Sequence, residues 1–200
     1  MRLTNWPTLS ELILSGKRAV VFMDYQANQS AVPYIMDEFS QMWETPFSPT
    51  DAAFPCDTQR PPGISDESAE DWLYLANHNL NIEISISGTD VLIPDFSNLT
   101  QVNSVSGRGS LGGMANECVG RWNRPPNFLL VDFYNEGNYS VGGQSKDGSV
   151  FEVAAQMNNV TYNRPCCGER TTNNTGVRLQ FNTGVVLAIV TMTSLLMLLW

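Results

Sequence analysis

Apolar residues in this chain gather in short runs separated by polar stretches, and three of the runs predict strands. They are RAVVFMDY (18–25), WLYLANH (72–78) and NFLLVDFYN (127–135). Each is hydrophobic on both faces, the pattern of a strand covered from both sides in a parallel sheet. NIEISIS (81–87) alternates strictly and predicts a half-exposed strand.

Helical patterns fall between and after the strands: SAVPYIMDEFSQMWE (30–44), with Pro33 near its start, the Gly-broken GSLGGMANECVGRW (109–122), and GSVFEVAAQMNNVTY (148–162). Near the start, Thr8-Leu9-Ser10-Glu11 forms a capping box for a short helix that Gly16 ends, with a strand following at once. Residues 45–70 are rich in Pro, Asp and Ser and predict a long surface loop. No internal repeat is visible.

Strand-helix alternation predicts an α/β fold with right-handed crossovers. Three or four strands are too few for a closed (β/α)8 barrel but would match its last portion.

The two ends of the chain pull the reading in different directions. Residues 184–200, GVVLAIVTMTSLLMLLW, are uncharged and apolar on every face. As a helix they would reach about 25 Å, slightly short of a hydrocarbon core of about 30 Å. No basic flank follows them, so a glycosylphosphatidylinositol (GPI) attachment signal fits better than an ordinary spanning helix. Small residues at Asn174-Thr175-Gly176 make Asn174 the expected lipid attachment site, with Asn173 as a second candidate, and VRLQFNT supplies the polar spacer. The opening MRLTNWPTLSELILSGKR has no export signal, because Pro7, Glu11 and Lys17 interrupt any apolar core. A GPI protein needs such a signal, so the expectation is that this sequence is the C-terminal part of a longer precursor.

Composition adds limits. A net charge of −9 and the lack of any Lys/Arg cluster exclude a nucleic-acid binder. The four cysteines, Cys56, Cys118, Cys166 and Cys167, match no zinc-site spacing. Spacing does not fix their pairing; the expectation is Cys56 with Cys118. Asn-x-Ser/Thr acceptor sites at Asn28, Asn98, Asn138, Asn159 and Asn173 join the cysteines and the tail in favouring a secreted, oxidising setting. No acidic cluster has a calcium-loop spacing, and no metal or cofactor is expected.

Each predicted strand ends in a polar residue: Asp24, His78 and Asp132. In parallel α/β folds the C-terminal strand ends form the active-site rim, which gives these three functional weight.

The stretches GKRAVVFMDYQAN, VPYIMDEFSQMWETPFSPTD and FPCDTQRPPG, then YLANHNLN and PNFLLVDFYNEG, resemble the fungal phospholipase C-like phosphodiesterases. These are secreted relatives of phosphatidylinositol-specific phospholipase C with a TIM-barrel catalytic domain. The resemblance runs from about Trp6 to Cys167. It implies the C-terminal part of such a barrel over residues 1–167, a polar linker over 168–183 and the hydrophobic tail over 184–200. It also implies a phospholipid or other phosphodiester substrate, cleaved by two histidines that act as general base and general acid. His78 is the only histidine in the chain, so that pair is absent from it. By the same resemblance Asp132 matches an aspartate that orients the base histidine, and Asp24 and His78 would contact substrate. Two functions stay open: a phosphodiesterase needing the rest of the barrel, or a non-catalytic GPI-anchored surface glycoprotein that uses the barrel as scaffold.

Overall fold

The first helix starts where the capping box predicts. In α1 (Leu9–Leu14) the Glu11 amide donates to the Thr8 hydroxyl, and the Glu11 carboxylate accepts from the Thr8 amide at 2.7 Å. Gly16, at φ +75°, turns the chain out of the helix. The computed structural model describes residues 3–137 and 149–162, all within one compact unit, Met1–Glu169.

Two parallel sheets follow. Strand β1 (Val21–Met23) pairs with β2 (Ile35–Asp37). A second sheet has the order β3 (Met42–Glu44), β4 (Leu73–His78), then a late strand at Phe128–Val131, again all parallel. Between β4 and that strand the chain forms an antiparallel hairpin, β5 (Asn81–Ile86) and β6 (Thr89–Pro94), so the late strand is β7. Helices α2 (Asp66–Glu70), α3 (Leu99–Val102), α4 (Leu111–Trp122) and α5 (Val150–Met157) complete the mixed α/β architecture. Among the described residues the sheets remain separate and no closed (β/α)8 cylinder is formed.

The helix predicted over residues 30–44 is not there. Its place is taken by β2, a 3-10 turn (Glu38–Ser40) and β3. Tertiary packing overrides the local pattern. Trp43 is fully buried in β3, stacked on Tyr74 at 4.5 Å and tilted against Trp122 at 4.9 Å, with its indole N–H donated to the Ala69 carbonyl. Only a strand paired with β4 brings both its ring and its backbone into that position.

Residues 45–70 are not simply a surface loop. Phe54 and Cys56 are buried, and a disulfide joins Cys56 to Cys118 of α4 with Cα atoms 5.3 Å apart. The Trp122 indole donates to the Cys56 carbonyl at 2.8 Å, and Ser65 caps α2. Crosslink and hydrogen bond together draw the loop onto the core.

Helix α4 places Leu111, Met114, Ala115, Cys118 and Trp122 on one face, a helical period aimed inward. Gly112 marks close packing: a Cβ there would sit 1.8 Å from the Val105 carbonyl oxygen. Of the three strands expected to be covered on both sides, only β4 is. Val21 of β1 and Phe128 and Leu130 of β7 are exposed. The 81–87 strand is more exposed than its alternation predicts, because beyond Asn81 both of its faces reach solvent.

Candidate functional site

Parallel pairing sends the C-terminal ends of β3, β4 and β7 to one edge. Glu44 registers with Leu75, and His78 with Val131, so Glu44, Asn77 and Asp132 stand at or just past those ends. Asp24 directly follows β1, the corresponding end of the other sheet.

Arg60, from the 45–70 segment, ties the two ends together. Its Nη2 lies 3.3 Å from the Asp24 carboxylate and its Nη1 3.1 Å from that of Glu44. The guanidinium also sits over the rings of Phe39 (4.8 Å) and Phe47 (4.4 Å), two cation–π contacts. Glu44 is nearly buried and also accepts from the Asn77 amide at 3.2 Å. Glu38 lies buried beside it. Burial, then the hydrogen bond and charge of Glu44, then the charge of Asp24 push the Glu38 carboxyl up to about 7, against the opposing pull of Arg60.

At the end of β7, Asn103 organises the backbone around Asp132. It is fully buried, and its amide nitrogen reaches the carbonyls of Asp132 (3.0 Å), Phe133 (3.2 Å) and Glu136 (3.4 Å). Phe133 takes a left-handed conformation at φ +48°, which turns the chain away just after the aspartate. The Asp132 carboxylate keeps one oxygen, Oδ2, buried with no hydrogen-bond partner among the described residues. Burial raises its pKa above the usual carboxylate value.

His78 belongs to the core. It is 0% exposed, its ring centroid is 3.8 Å from that of Phe54, and Nε2 lies 2.9 Å from the Val102 carbonyl. A carbonyl only accepts, so Nε2 carries a proton. Burial lowers its pKa to about 4, outweighing the hydrogen bonds to the backbone of Val102 and Gly109.

No hydrogen bond or ion pair among the described residues joins Asp24, His78 and Asp132 to one another. Asp24 enters the Arg60 network, Asp132 stands at its own strand end, and His78 points inward. Among the described residues, no group of three or more His, Cys, Asp or Glu side chains is arranged to hold a metal. Glu38, Glu44, Arg60, Asn77 and Asn103 escaped sequence reasoning. The available signal for the first two was a strand end, hidden while residues 30–44 read as helix.

Of the glycosylation sites, Asn28, Asn98 and Asn159 are exposed. Asn138 and Asn173 lie outside the described residues, as do Asn174 and the 184–200 tail. Among the described residues no helix is long and apolar enough to cross a membrane.

The family described as PI-PLC X 1 matches residues 1–146. Two proteins of Arthroderma benhamiae are similar to this chain. One, named an uncharacterized secreted protein, is 62% identical over 169 residues, which are 84% of this chain and 37% of the relative. The other, named PI-PLC X domain-containing protein 1, is 38% identical over 149 residues, 74% of this chain and 47% of the relative. The chain thus spans less than half the length of either. No solved structure matches it. With a match that covers well over half its residues, the chain belongs to the PI-PLC X family.

Proposed function

We propose that this chain forms the C-terminal part of a secreted phospholipase C-like phosphodiesterase barrel, anchored to the cell surface through its hydrophobic tail. In this reading two histidines carried by the remainder of a longer protein do the proton transfers. One takes the proton of the attacking hydroxyl as its oxygen bonds to phosphorus; the other gives a proton to the leaving oxygen as its bond to phosphorus breaks. This chain supplies Asp132, whose carboxylate accepts the second ring N–H of the base histidine and so holds the tautomer that can receive a proton.

The observation that carries the reading is the buried, unpartnered Oδ2 of Asp132 at a strand end. A half-buried carboxylate with a raised pKa is costly without a donor, and a histidine N–H there would relieve that cost. The secreted relative supports the secretory setting, and the exposed Asn28, Asn98 and Asn159 suit glycan attachment.

The test is a chimera: the 62%-identical secreted relative with its matching segment replaced by this chain's own. Hydrolysis of phosphatidylinositol in mixed micelles supports the proposal. A folded chimera and a folded relative that both leave phosphodiesters intact overturn it. That second result is what the scaffold reading expects, favoured by one fact: the only histidine of the chain is sealed in the core.

A further inference from the structure

Parallel register puts alternate residues of β3, β4 and β7 on shared faces. Glu44 registers with Leu75, and Asn77, two residues further along β4, registers with Leu130. These residues lie on the sheet face opposite the one on which Trp43 and Tyr74 stack. At the C-terminal edge of that face the Glu44 carboxylate is a hub. It accepts from Arg60 Nη1 and from the Asn77 amide, and it hydrogen-bonds the Glu38 carboxyl. The donor groups already have partners: Arg60 reaches Glu44 and Asp24, and the Asn77 amide reaches Glu44 and the Thr45 carbonyl. What stays unpaired is acceptor. Asn77 Oδ1 and Glu38 Oε1 are buried with no hydrogen-bond partner among the described residues, and their residues are only 3% and 9% exposed. Both belong to side chains that touch Glu44. Three carboxyl groups, those of Asp24, Glu38 and Glu44, here face one cation, Arg60. Solvent reaches the cluster through Asp24 and Arg60, whose side chains are 46% and 25% exposed.

We infer that this cluster binds a primary ammonium group, with Asn77 Oδ1 and Glu38 Oε1 accepting its N–H bonds. The chemistry of the unpaired atoms selects the ligand. An ammonium has three donors and no acceptor, the complement of acceptors left over in an acidic setting. A polyol hydroxyl brings an acceptor as well, for which these atoms offer no donor. A quaternary ammonium has no N–H to give. An anionic group is repelled by the carboxylates. The inference deepens the proposed function, on which it rests for the phosphate. Leu130, in register with Asn77, stands two residues before Asp132, and neighbouring strands lie about 4.8 Å apart. An aminoalkyl phosphodiester held by its nitrogen at Asn77 thus extends its phosphate toward the Asp132 edge.

The test is calorimetric titration of the full chain at pH 8 with four probes: ethanolamine, glycerophosphoethanolamine, choline and myo-inositol. Ethanolamine should bind, and choline and inositol should bind at least about tenfold more weakly, the scale of losing hydrogen bonds to a charged group. Glycerophosphoethanolamine that binds more tightly than ethanolamine assigns the ammonium to a phosphodiester head group. Equal binding of the two assigns it to a free amine, and either result supports the site. The charged groups facing Glu38 are Glu44, Asp24 and Arg60. As Glu38 loses its proton between pH 6 and 8, the affinity for ethanolamine should rise about tenfold, since the ammonium itself stays charged over that range. Glu38→Gln keeps the shape and an acceptor but no titration, and it should abolish that rise. No binding of ethanolamine, or choline binding as well as ethanolamine does, overturns the inference; both are read on the wild type and need no variant to fold. So does an affinity with the same pH dependence in a folded Glu38→Gln variant. Turnover is not measured, so failure here leaves the Asp132 chemistry standing, and an inactive chimera leaves the ammonium site standing.

Discussion

Asn103 donates its buried side-chain amide to the main-chain carbonyl of Asp132 at 3.0 Å, and the same nitrogen lies within reach of two carbonyls beyond it. A side chain leaving α3 thus fixes the turn that aims the Asp132 carboxylate. Replacing Asn103 with Ala strands those carbonyls. The expected cost is about 2–4 kcal/mol of stability, read as a lower urea midpoint.

The disulfide encloses a long loop. With a sequence separation of 62 between Cys56 and Cys118, chain-entropy arguments give about 4 kcal/mol of stabilisation. Converting both cysteines to alanine should lower the urea midpoint accordingly and release Phe54 from the face of His78. Limited proteolysis should then cut first within residues 45–65.

Glu38 and His78 push the acid response of the protein in opposite directions. The Glu38 carboxyl titrates near 7 in the folded state, against an ordinary 4.5, because burial and the neighbouring Glu44 and Asp24 disfavour its charge. Its folded state holds the proton more tightly, so the stabilisation is full below about 4.5 and is lost as pH rises through 7. Glu38→Gln should remove that slope. Between pH 5 and 8 the wild-type melting temperature should fall relative to the variant's.

For His78 the sign reverses. Its folded pKa near 4 lies below the ordinary 6.5, so the stability of the neutral ring is full above 6.5 and lost as pH falls towards 4. His78→Gln keeps a donor for the Val102 carbonyl but cannot titrate. Urea titrations at pH 7 and 4.5 should show the wild type losing about 1–3 kcal/mol more than the variant.

Much of this was legible in the chain, and the exceptions have physical causes. The Thr8–Glu11 cap and the inward period of α4 are local patterns, and local patterns appear in sequence. Strand β3 is three residues long, too short to show a period, and owes its conformation to Trp43 packing on Tyr74. Reading residues 30–44 as helix hid Glu44 as a strand end, and with it the pairing to Arg60 sixteen residues later. Asp132 and His78 looked alike as polar strand-end residues. They differ because α3 and Phe54 cover one and not the other, a matter of which elements pack above a strand, which no alternation of residues encodes.

The central claim is that Asp132 positions a catalytic base in a phosphodiester-cleaving site. It is tested most directly by Asp132→Asn in the chimera with the secreted relative, measuring kcat and KM for phosphatidylinositol hydrolysis. The account predicts a fall in kcat of about a hundredfold or more with little change in KM, as when an aspartate that orients a catalytic histidine becomes an amide. An active chimera whose kcat is the same with Asn at this position would contradict it.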